Sequence, residues 1–354
     1  MTHHIVINSS NFEIGGVAVG PNAPGLVIAE VAQAHDGSLR MAHSFIDAIA
    51  ASGANCVKFQ LHLPDFESTT DEQFRIGMGS QDVDRFSYWH RTGFSSSEWT
   101  ELALHTKEKG LIFLCSTFSV QGAEILRAME IDAWKIASGE VESVELIDYM
   151  LEDKKPIIAS TGMASIAEIE SLLKQIREQG SSLVLLQCTS KYPTSIEESG
   201  LDFMEYLRTY GCAVGLSDHS GTPLPTLAAL ARGADVVEVH VTFDKRIQGP
   251  DSSSSISFEE LELICQARDC FNAMDQNPID KDLVAKELAD NKKMFGKSVA
   301  LKNDSAAGTV ITEDMVCFKK PGSGIQRKEL KNIVGKTLIH DVSARRLLKW
   351  SDFA

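Results

Sequence analysis

Eight short apolar runs alternate with helical segments between residues 26 and 273, and this alternation constrains the fold more than any other feature. Nearly continuous apolar strands are typical of a parallel α/β sheet that is covered on both faces. Eight strand–helix units in a segment of this length match the roughly 250 residues of a closed (β/α)₈ TIM barrel. An open doubly wound sheet is the alternative, but no G-x-G-x-x-G motif follows the first run. The runs are LVIAEVA (from Leu26), CVKFQL (Cys56), LIFLCS (Leu111), AWKIASGE (Ala133), PIIASTG (Pro156), LVLLQCTS (Leu183), AVGLSDHS (Ala213) and VVEVHVT (Val236).

The pattern changes on both sides of this barrel. Residues 1–25 are predicted to form a β-hairpin extension, because VINSSNFEIGGVAVG offers two strands around a Gly-Gly corner. The barrel is predicted over residues 26–274, followed by a polar linker with one short helix over 275–296. Residues 297–354 read as a separate domain of short strands and Gly-rich corners, with one brief helix near residues 326–333. Such a small domain gains little from its own core and is expected to dock on something larger.

Composition excludes several classes of function. The chain has 34 Lys and Arg residues against 49 Asp and Glu, a formal net charge of −15, so general nucleic-acid binding is not expected. The apolar runs are far shorter than the about 18 residues of a membrane span, and the N-terminus does not resemble a signal peptide. Seven cysteines occur singly, which argues against a disulfide framework or a zinc ribbon. We therefore expect a cytoplasmic protein without membrane or nucleic-acid partners.

Polar side chains stand at the C-terminal ends of nearly all eight runs. In barrels of this type the active site lies at that end of the strands. One such residue would mean little, but agreement between so many strands predicts a catalytic mouth. The residues are Glu30, Lys58, Gln60, Ser116, Lys135, Ser138, Glu140, Ser160, Gln187, Ser190, Tyr192, Ser217, Asp218, His219, Glu238 and His240.

Two histidines at neighbouring strand ends suggest a metal site. His219 and His240 end the seventh and eighth runs, and strands in a sheet lie about 4.8 Å apart. Glu238 faces the same side as His240 because the two positions differ by two. Two imidazoles and a carboxylate suit Mn²⁺, Zn²⁺, Co²⁺ or Fe²⁺. The alternative is a pair of hydrogen-bonded structural histidines.

Two lysines lie inside otherwise apolar strands, where an unpaired ammonium group would be costly. Lys58 and Lys135 therefore either form buried ion pairs, with Glu30 or Glu140, or line an anion pocket. The hydroxyls available to such a pocket are those of Ser116, Ser138, Ser160 and Ser217. Lys135 and Ser138 have opposite strand parity, so both point inward only if the strand bends or ends near Gly139.

Eight short motifs occur along the barrel in a fixed order. They are E-x-x-x-x-H-x-G (from Glu30), VKFQ (Val57), KIASGE (Lys135), STGM (Ser160), QCTSKYP (Gln187), GLSDHS (Gly215), EVHVTFDK (Glu238) and GPD (Gly249). This series resembles the sialic acid synthase family, which comprises N-acetylneuraminate synthase and related nonulosonate synthases. The resemblance covers nearly the whole chain, since the C-terminal part, with KKPGSGI and VGK, is similar to the antifreeze-like (SAF, β-clip) domain of that family.

The resemblance implies an enzyme that condenses phosphoenolpyruvate with an N-acetylated hexose, usually N-acetylmannosamine, to give a nine-carbon 2-keto acid and phosphate. It implies a divalent metal on His219 and His240, with Glu238 beside them, acting as a Lewis acid on the sugar aldehyde. Mn²⁺ is the expected ion, with Mg²⁺ and Co²⁺ as alternatives. The implied phosphoenolpyruvate-binding residues are Lys58, Ser116, Lys135, Ser138, Ser160, Ser190 and Ser217.

The same resemblance assigns the sugar end of the site. Glu30 and Glu140 are implied to orient the sugar and to transfer protons or activate water. Tyr192 and Asp251 would complete the catalytic residues and line the sugar pocket. The additional sugar contacts would be Gln60 and Lys320. In the family the small domain reaches over the barrel mouth of the partner in a swapped homodimer.

Three positions depart from the family pattern, all where the sugar should lie. Lys320 stands where many relatives have Arg, Ser190 where they have Asn, and Ser252 where His often follows Gly-Pro-Asp. The acceptor therefore stays open between N-acetylmannosamine, its 6-phosphate and a di-N-acetylated 6-deoxyhexose of the legionaminic or pseudaminic type. A metal-dependent barrel aldolase or epimerase, and a non-catalytic carbohydrate-binding protein, are the alternative classes of function.

Overall fold

The computed structural model describes residues 11–74 and 82–354. The chain divides into two compact units, with the boundary between Gln276 and Asn277. Within the described residues, no helix has the length and apolar character needed to cross a membrane.

A short hairpin precedes the barrel strands, as the Gly-Gly corner predicted. Its strands β1 (Phe12–Ile14) and β2 (Val17–Val19) pair antiparallel. Ile14 and Val19 are fully buried in the same apolar cluster as the lower part of the barrel interior. The hairpin therefore packs against the N-terminal end of the barrel, whereas residues 1–10 of the predicted extension lie outside the described residues.

Eight parallel strands form a closed barrel, which confirms the predicted TIM fold. The strands are β3 (Leu26–Ala32), β4 (Cys56–Leu61), β5 (Ile112–Thr117), β6 (Trp134–Ile136), β7 (Ile157–Ser160), β8 (Leu183–Cys188), β9 (Ala213–Asp218) and β10 (Val236–His240). Around the barrel they lie in the order β10-β3-β4-β5-β6-β7-β8-β9. The α-helices of this unit are α1 (Leu39–Ala51), α2 (Pro64–Glu67), α3 (Arg85–Thr92), α4 (Ser96–Glu108), α5 (Val120–Ala128), α6 (Val144–Leu151), α7 (Ile166–Gln179), α8 (Phe203–Arg208), α9 (Leu224–Ala231) and α10 (Phe258–Asp275). Three 3₁₀ helices span Ser138–Glu140, Ile196–Glu198 and Ser252–Ser254.

The inward-facing positions of the strands change from apolar to polar along the barrel axis. On β3, Leu26 and Ile28 belong to the interior cluster, and the next residue of the same parity is Glu30. On β4, Cys56 is followed in the same way by Lys58 and Gln60. The outward positions pack instead against the helices in a second, larger core. This division places the polar side chains together at the C-terminal end of the barrel.

The second unit contains two helices where one was predicted. These are α11 (Lys281–Glu287) and α12 (Ala289–Phe295), and Asp280 caps the first by accepting hydrogen bonds from the amides of Asp282 and Leu283. The prediction of one short helix was wrong because it underestimated the helical content: neither Pro nor Gly interrupts the helix-forming residues between Pro278 and Gly296. Strands β11 (Ser298–Leu301) and β12 (Val316–Lys319) pair antiparallel over a separate core. A 3₁₀ helix at Glu313–Met315 lies between the two strands, and two more follow at Arg327–Asn332 and Trp350–Asp352.

Candidate active site

A cavity of about 790 Å³ opens at the C-terminal ends of the barrel strands. It collects nearly all of the site residues that the sequence predicted. Glu30 does not line it directly, but hydrogen-bonds to Gln60 and pairs with Lys58 from a fully buried position. The predicted residues that line it are Lys58, Gln60, Ser116, Lys135, Ser138, Glu140, Ser160, Ser190, Tyr192, Ser217, His219, Glu238, His240 and Asp251.

Two lysines and two carboxylates form a connected cluster on the cavity floor. Lys58 Nζ lies 2.8 Å from Glu30 Oε2 and 3.3 Å from Glu238 Oε1. Lys135 Nζ lies 3.8 Å from the same oxygen of Glu238. The predicted ion pair with Glu30 is therefore present, whereas Glu140 pairs with neither lysine and Glu238 takes that place. All four groups are buried, and the two ammonium groups balance the charges of the two carboxylates.

Burial and charge shift the pKa of each member of this cluster. Burial raises the pKa of Glu30 to about 7, although Lys58 opposes the shift. Burial alone would also raise the pKa of Glu238, but Lys135 and Lys58 lower it to about 2. Burial lowers the pKa of Lys135 to about 8, while Glu238 and Glu30 hold the pKa of Lys58 above its ordinary value despite its burial. Glu30 is thus the member that exchanges a proton most readily near neutral pH.

Serine hydroxyl groups lie beside the two ammonium groups, while the anion pocket stays a prediction. Lys135 Nζ donates to Ser160 Oγ at 2.7 Å, and Lys58 Nζ donates to Ser116 Oγ at 3.4 Å. Ser217 Oγ donates to Glu238 Oε1 at 3.2 Å. The sequence allowed two interpretations of the lysines, buried ion pairs or an anion pocket. The ion pairs are present, and the hydroxyls available to an anion pocket lie beside them.

Ser138 reaches the cavity because β6 ends early. The strand stops at Ile136, and the 3₁₀ turn that follows removes the parity conflict between Lys135 and Ser138. Ser138 Oγ accepts a hydrogen bond from the amide of Gly162 at 3.0 Å. A Cβ atom at Gly162 would lie 2.3 Å from Ser190 Oγ, so only glycine lets the two hydroxyls approach this backbone.

The two predicted histidines lie side by side, with ring centroids 5.2 Å apart. His219 Nδ1 donates to the Thr189 carbonyl at 3.1 Å, so the lone pair of the ring is on Nε2. Burial lowers the pKa of His219 to about 3, so the imidazole is neutral, the form that binds metals. His240 Nδ1 lies 3.8 Å from Asp251 Oδ2, and the Tyr192 ring lies 4.1 Å from that of His219.

Glu238 has different partners from those predicted. Its Oε1 is bound by Ser217 and the two lysines, while Oε2 is buried without a hydrogen-bond partner among the described residues. Over residues 11–74 and 82–354, no group of three or more His, Cys, Asp and Glu side chains is arranged to hold a metal. The two imidazoles fit a divalent ion as its nitrogen ligands, and Oε2 is one further acceptor; the metal site stays a prediction.

Glu140, at the sugar end of the predicted site, lies apart from the lysine cluster. Glu140 accepts a hydrogen bond from Ser143 Oγ at 2.6 Å, and burial raises its pKa. Lys320 belongs to the second unit, where its Nζ lies 5.6 Å from the centre of the Phe295 ring and its side chain is exposed.

One wall of the cavity was not predicted. It is formed after β4 by His62, Glu67, Glu72, Arg85 and Trp89, with Phe118 following β5. Most of the predicted site residues stand at the polar ends of the strands, whereas most of this wall comes from the connection between β4 and α4. The signal that was available is the segment HLPDFE, which places a histidine, an aromatic ring and two acids directly after a strand.

Comparison with known proteins agrees with this geometry. Residues 45–278 match the NeuB family and residues 296–354 match the SAF domain. The chain is 32% identical to the pseudaminic acid synthase of Campylobacter jejuni, covering 92% of this chain and 96% of that one. It is 30% identical to human N-acetylneuraminate-9-phosphate synthase, covering 91% of this chain and 90% of that one.

A solved structure shares the fold. The N-acetylneuraminic acid synthetase of Leptospira borgpetersenii, determined in complex with citrate, superposes with a TM-score of 0.70 at 26% identity, covering 81% of this chain and 98% of that one. The family match spans most of the barrel unit, and the resemblance seen in the sequence motifs is confirmed. The chain therefore belongs to the NeuB family and carries a C-terminal SAF domain.

Proposed function

We propose that this chain condenses phosphoenolpyruvate with an N-acetylated hexose, giving a nine-carbon 2-keto sugar acid and inorganic phosphate. The observation that carries the proposal is the cavity floor, where Lys58 and Lys135 are buried beside serine hydroxyls. Burying a charged group is costly unless it is paired, and here each ammonium group has a carboxylate partner and also lines the cavity, where a charged ligand can reach it. The relatives named as synthases of pseudaminic acid and N-acetylneuraminate 9-phosphate support the same chemistry.

The charge balance of the cavity floor favours the binding of a cation together with the anionic substrate. Glu30 and Glu238 already neutralise the two lysines, so a multiply charged anion adds uncompensated negative charge to a buried site. A divalent ion held by His219 and His240 would supply positive charge and polarise the aldehyde oxygen of the sugar. We therefore expect phosphoenolpyruvate to bind more tightly when the metal is present.

The reaction requires proton transfer at two points. C3 of phosphoenolpyruvate forms a bond to the aldehyde carbon, whose oxygen takes up a proton, and water adds at C2 as phosphate leaves. Glu30, with its pKa near neutrality, and Glu140, with its raised pKa, are the carboxyl groups suited to give and take these protons. Tyr192 and Asp251 line the same cavity and would orient the sugar.

Phosphate release decides between this proposal and its alternatives. Purified protein should release phosphate from phosphoenolpyruvate only when an N-acetylated hexose is added, and mass spectrometry should find the matching nine-carbon acid. An aldolase or epimerase on the same barrel would change the sugar without releasing phosphate. A carbohydrate-binding protein would bind the sugar and change neither compound.

We expect the acceptor to be an unphosphorylated sugar. Glu67, Glu72, Glu140 and Asp251 line the outer cavity, and the described cation beside them, Arg85, pairs with Glu72 at 3.1 Å. A sugar 6-phosphate would meet more negative than positive charge there. In assays with N-acetylmannosamine, its 6-phosphate and a di-N-acetylated 6-deoxyhexose, kcat/KM should be about tenfold or more lower for the phosphate, since one unfavourable contact of about 1.4 kcal/mol suffices. Preference for the 6-phosphate would contradict this.

We propose that the SAF domain completes the active site of the partner in a homodimer, with Lys320 contacting the sugar. Lys320→Ala should then raise the KM for the sugar without changing the melting temperature, because the side chain is exposed. Co-expression of Lys320→Ala with His219→Ala chains should restore activity, since hybrid dimers contain one intact site.

The matched control is co-expression of Lys320→Ala with itself. A monomer in solution, or a fully active chain truncated after residue 290, would contradict the trans arrangement.

A further inference from the structure

His62 is held flat in a stack of three rings on the cavity wall. Its ring centroid lies 3.7 Å from that of Trp89 and 4.4 Å from that of Phe118, at interplanar angles of 11° and 5°. Trp89 is on α3 and Phe118 follows β5, so two separate elements hold the imidazole. Only 7% of the His62 side chain is exposed. The ring therefore has little freedom to tilt, and its nitrogens are confined to one plane.

Both ring nitrogens have partners in that plane. Nδ1 is hydrogen-bonded to Glu67 Oε1, and the other oxygen of Glu67 accepts from the amide of Leu63 at 3.1 Å. Nε2 lies 3.4 Å from Oε1 of Gln60. Glu67 is nearly fully buried, so the carboxylate that anchors the ring is itself fixed.

Gln60 connects this histidine to Glu30. Gln60 Nε2 lies 2.9 Å from Glu30 Oε1, and because a carboxylate only accepts hydrogen bonds, the amide NH₂ faces Glu30. The amide oxygen then faces His62 Nε2. Because Nδ1 already donates to the Glu67 carboxylate, a second donation from Nε2 requires the doubly protonated ring, which burial opposes and the Glu67 carboxylate favours through its effect on the pKa of His62. Rotating the amide by half a turn would place its oxygen against the Glu30 carboxylate, so the amide has one orientation that satisfies both neighbours.

We propose, on the basis of the proposed function, that His62 is a positioning residue for the sugar half of the reaction. It fixes the amide of Gln60, and through that amide it orients the carboxyl group of Glu30 beside the cavity. The phosphoenolpyruvate half would be held by Lys58 and Lys135, which His62 does not contact. Lys58 pairs with Oε2 of Glu30, whereas Gln60 contacts Oε1. Loss of the histidine nitrogens should therefore affect use of the sugar and leave binding of phosphoenolpyruvate unchanged.

A double-mutant cycle tests whether His62 acts through Gln60. His62→Phe keeps a ring between Trp89 and Phe118 and removes both nitrogens. This variant and Gln60→Ala should each lower kcat/KM for the sugar by about tenfold to a hundredfold, the range for a hydrogen bond to a charged group. The double variant should lose no more than Gln60→Ala alone. The Kd for phosphoenolpyruvate, measured by calorimetry, should stay within about twofold of wild type.

His90→Phe is the matched control, because His90 lies next to Trp89 on α3 with its side chain 47% exposed, and this change should leave the kinetics unchanged. Wild-type sugar kinetics in His62→Phe, a double variant whose loss is the product of the single losses, or equally weakened phosphoenolpyruvate binding would each overturn the inference. If the wild-type chain released no phosphate with any sugar, the proposed function would fail. The inference would then be decided by a crystal structure of His62→Phe: loss of the contact between Gln60 and Glu30 supports it, and retention overturns it.

Discussion

Replacing His219 with Ala should lower the rate of phosphate release by about a thousandfold. The two imidazoles would hold a divalent ion, and Lewis-acid stabilisation of this kind contributes several kcal/mol to a transition state. A chelator should abolish turnover of the wild-type protein in the same way, and Mn²⁺ should restore it. Elemental analysis of the purified protein gives an independent measurement, since His219→Ala and His240→Ala should each lose bound metal.

His43→Ala is the control for this prediction, because His43 lies on the outer helix α1 and pairs with Glu101 of α4. It should retain both metal and activity. Full turnover by a metal-stripped preparation would contradict the assignment of the two histidines.

Replacing Glu238 with Gln should destabilise the protein while strengthening its binding of anions. The change leaves Lys135 without its carboxylate partner in a buried site, and breaking a buried pair costs about 3–5 kcal/mol. For a unit of this size the melting temperature should fall by roughly 10 °C. Phosphoenolpyruvate or inorganic phosphate replaces the lost negative charge, so either should raise the melting temperature of the variant more than that of wild type.

Lys135→Met provides the opposite change and so tests the charge balance. Removing the ammonium group should weaken phosphoenolpyruvate binding about tenfold to a hundredfold. Glu140→Gln is the control for stability, because Glu140 contacts neither lysine, and its melting temperature should change by no more than about 2 °C. If Glu238→Gln also weakened phosphoenolpyruvate binding tenfold, charge balance would not be the role of Glu238.

The strands and the location of the site could be predicted because they depend on local pattern. A run such as LVIAEVA shows by itself where β3 lies, and its alternation shows that Glu30 faces inward with Leu26 and Ile28. The pairing of Glu238 with Lys58 and Lys135 could not be predicted in this way. These residues come from β10, β4 and β6, and only the closed barrel brings their side chains together.

The wall around His62 could not be predicted for a different reason. The sequence that connects β4 and α4 has no long periodic pattern, so no rule of spacing shows which of its side chains turn toward the cavity. The stack of His62 between Trp89 and Phe118 depends on contacts across a long stretch of sequence. The helices α11 and α12 were partly missed for a simpler reason, because their polar composition resembles that of a linker.

The hairpin packed against the N-terminal end of the barrel has a consequence for the order of the reaction. Ile14 and Val19 are buried in the lower interior, and the apolar layer beneath the lysines leaves no passage through the described barrel. If the chain has the proposed function, its substrates would enter and its products would leave by the same opening. A three-carbon anion held at the floor has to arrive before the larger sugar covers it. Steady-state kinetics should accordingly follow a compulsory order, with phosphoenolpyruvate as the leading substrate and phosphate retained until the sugar acid has departed.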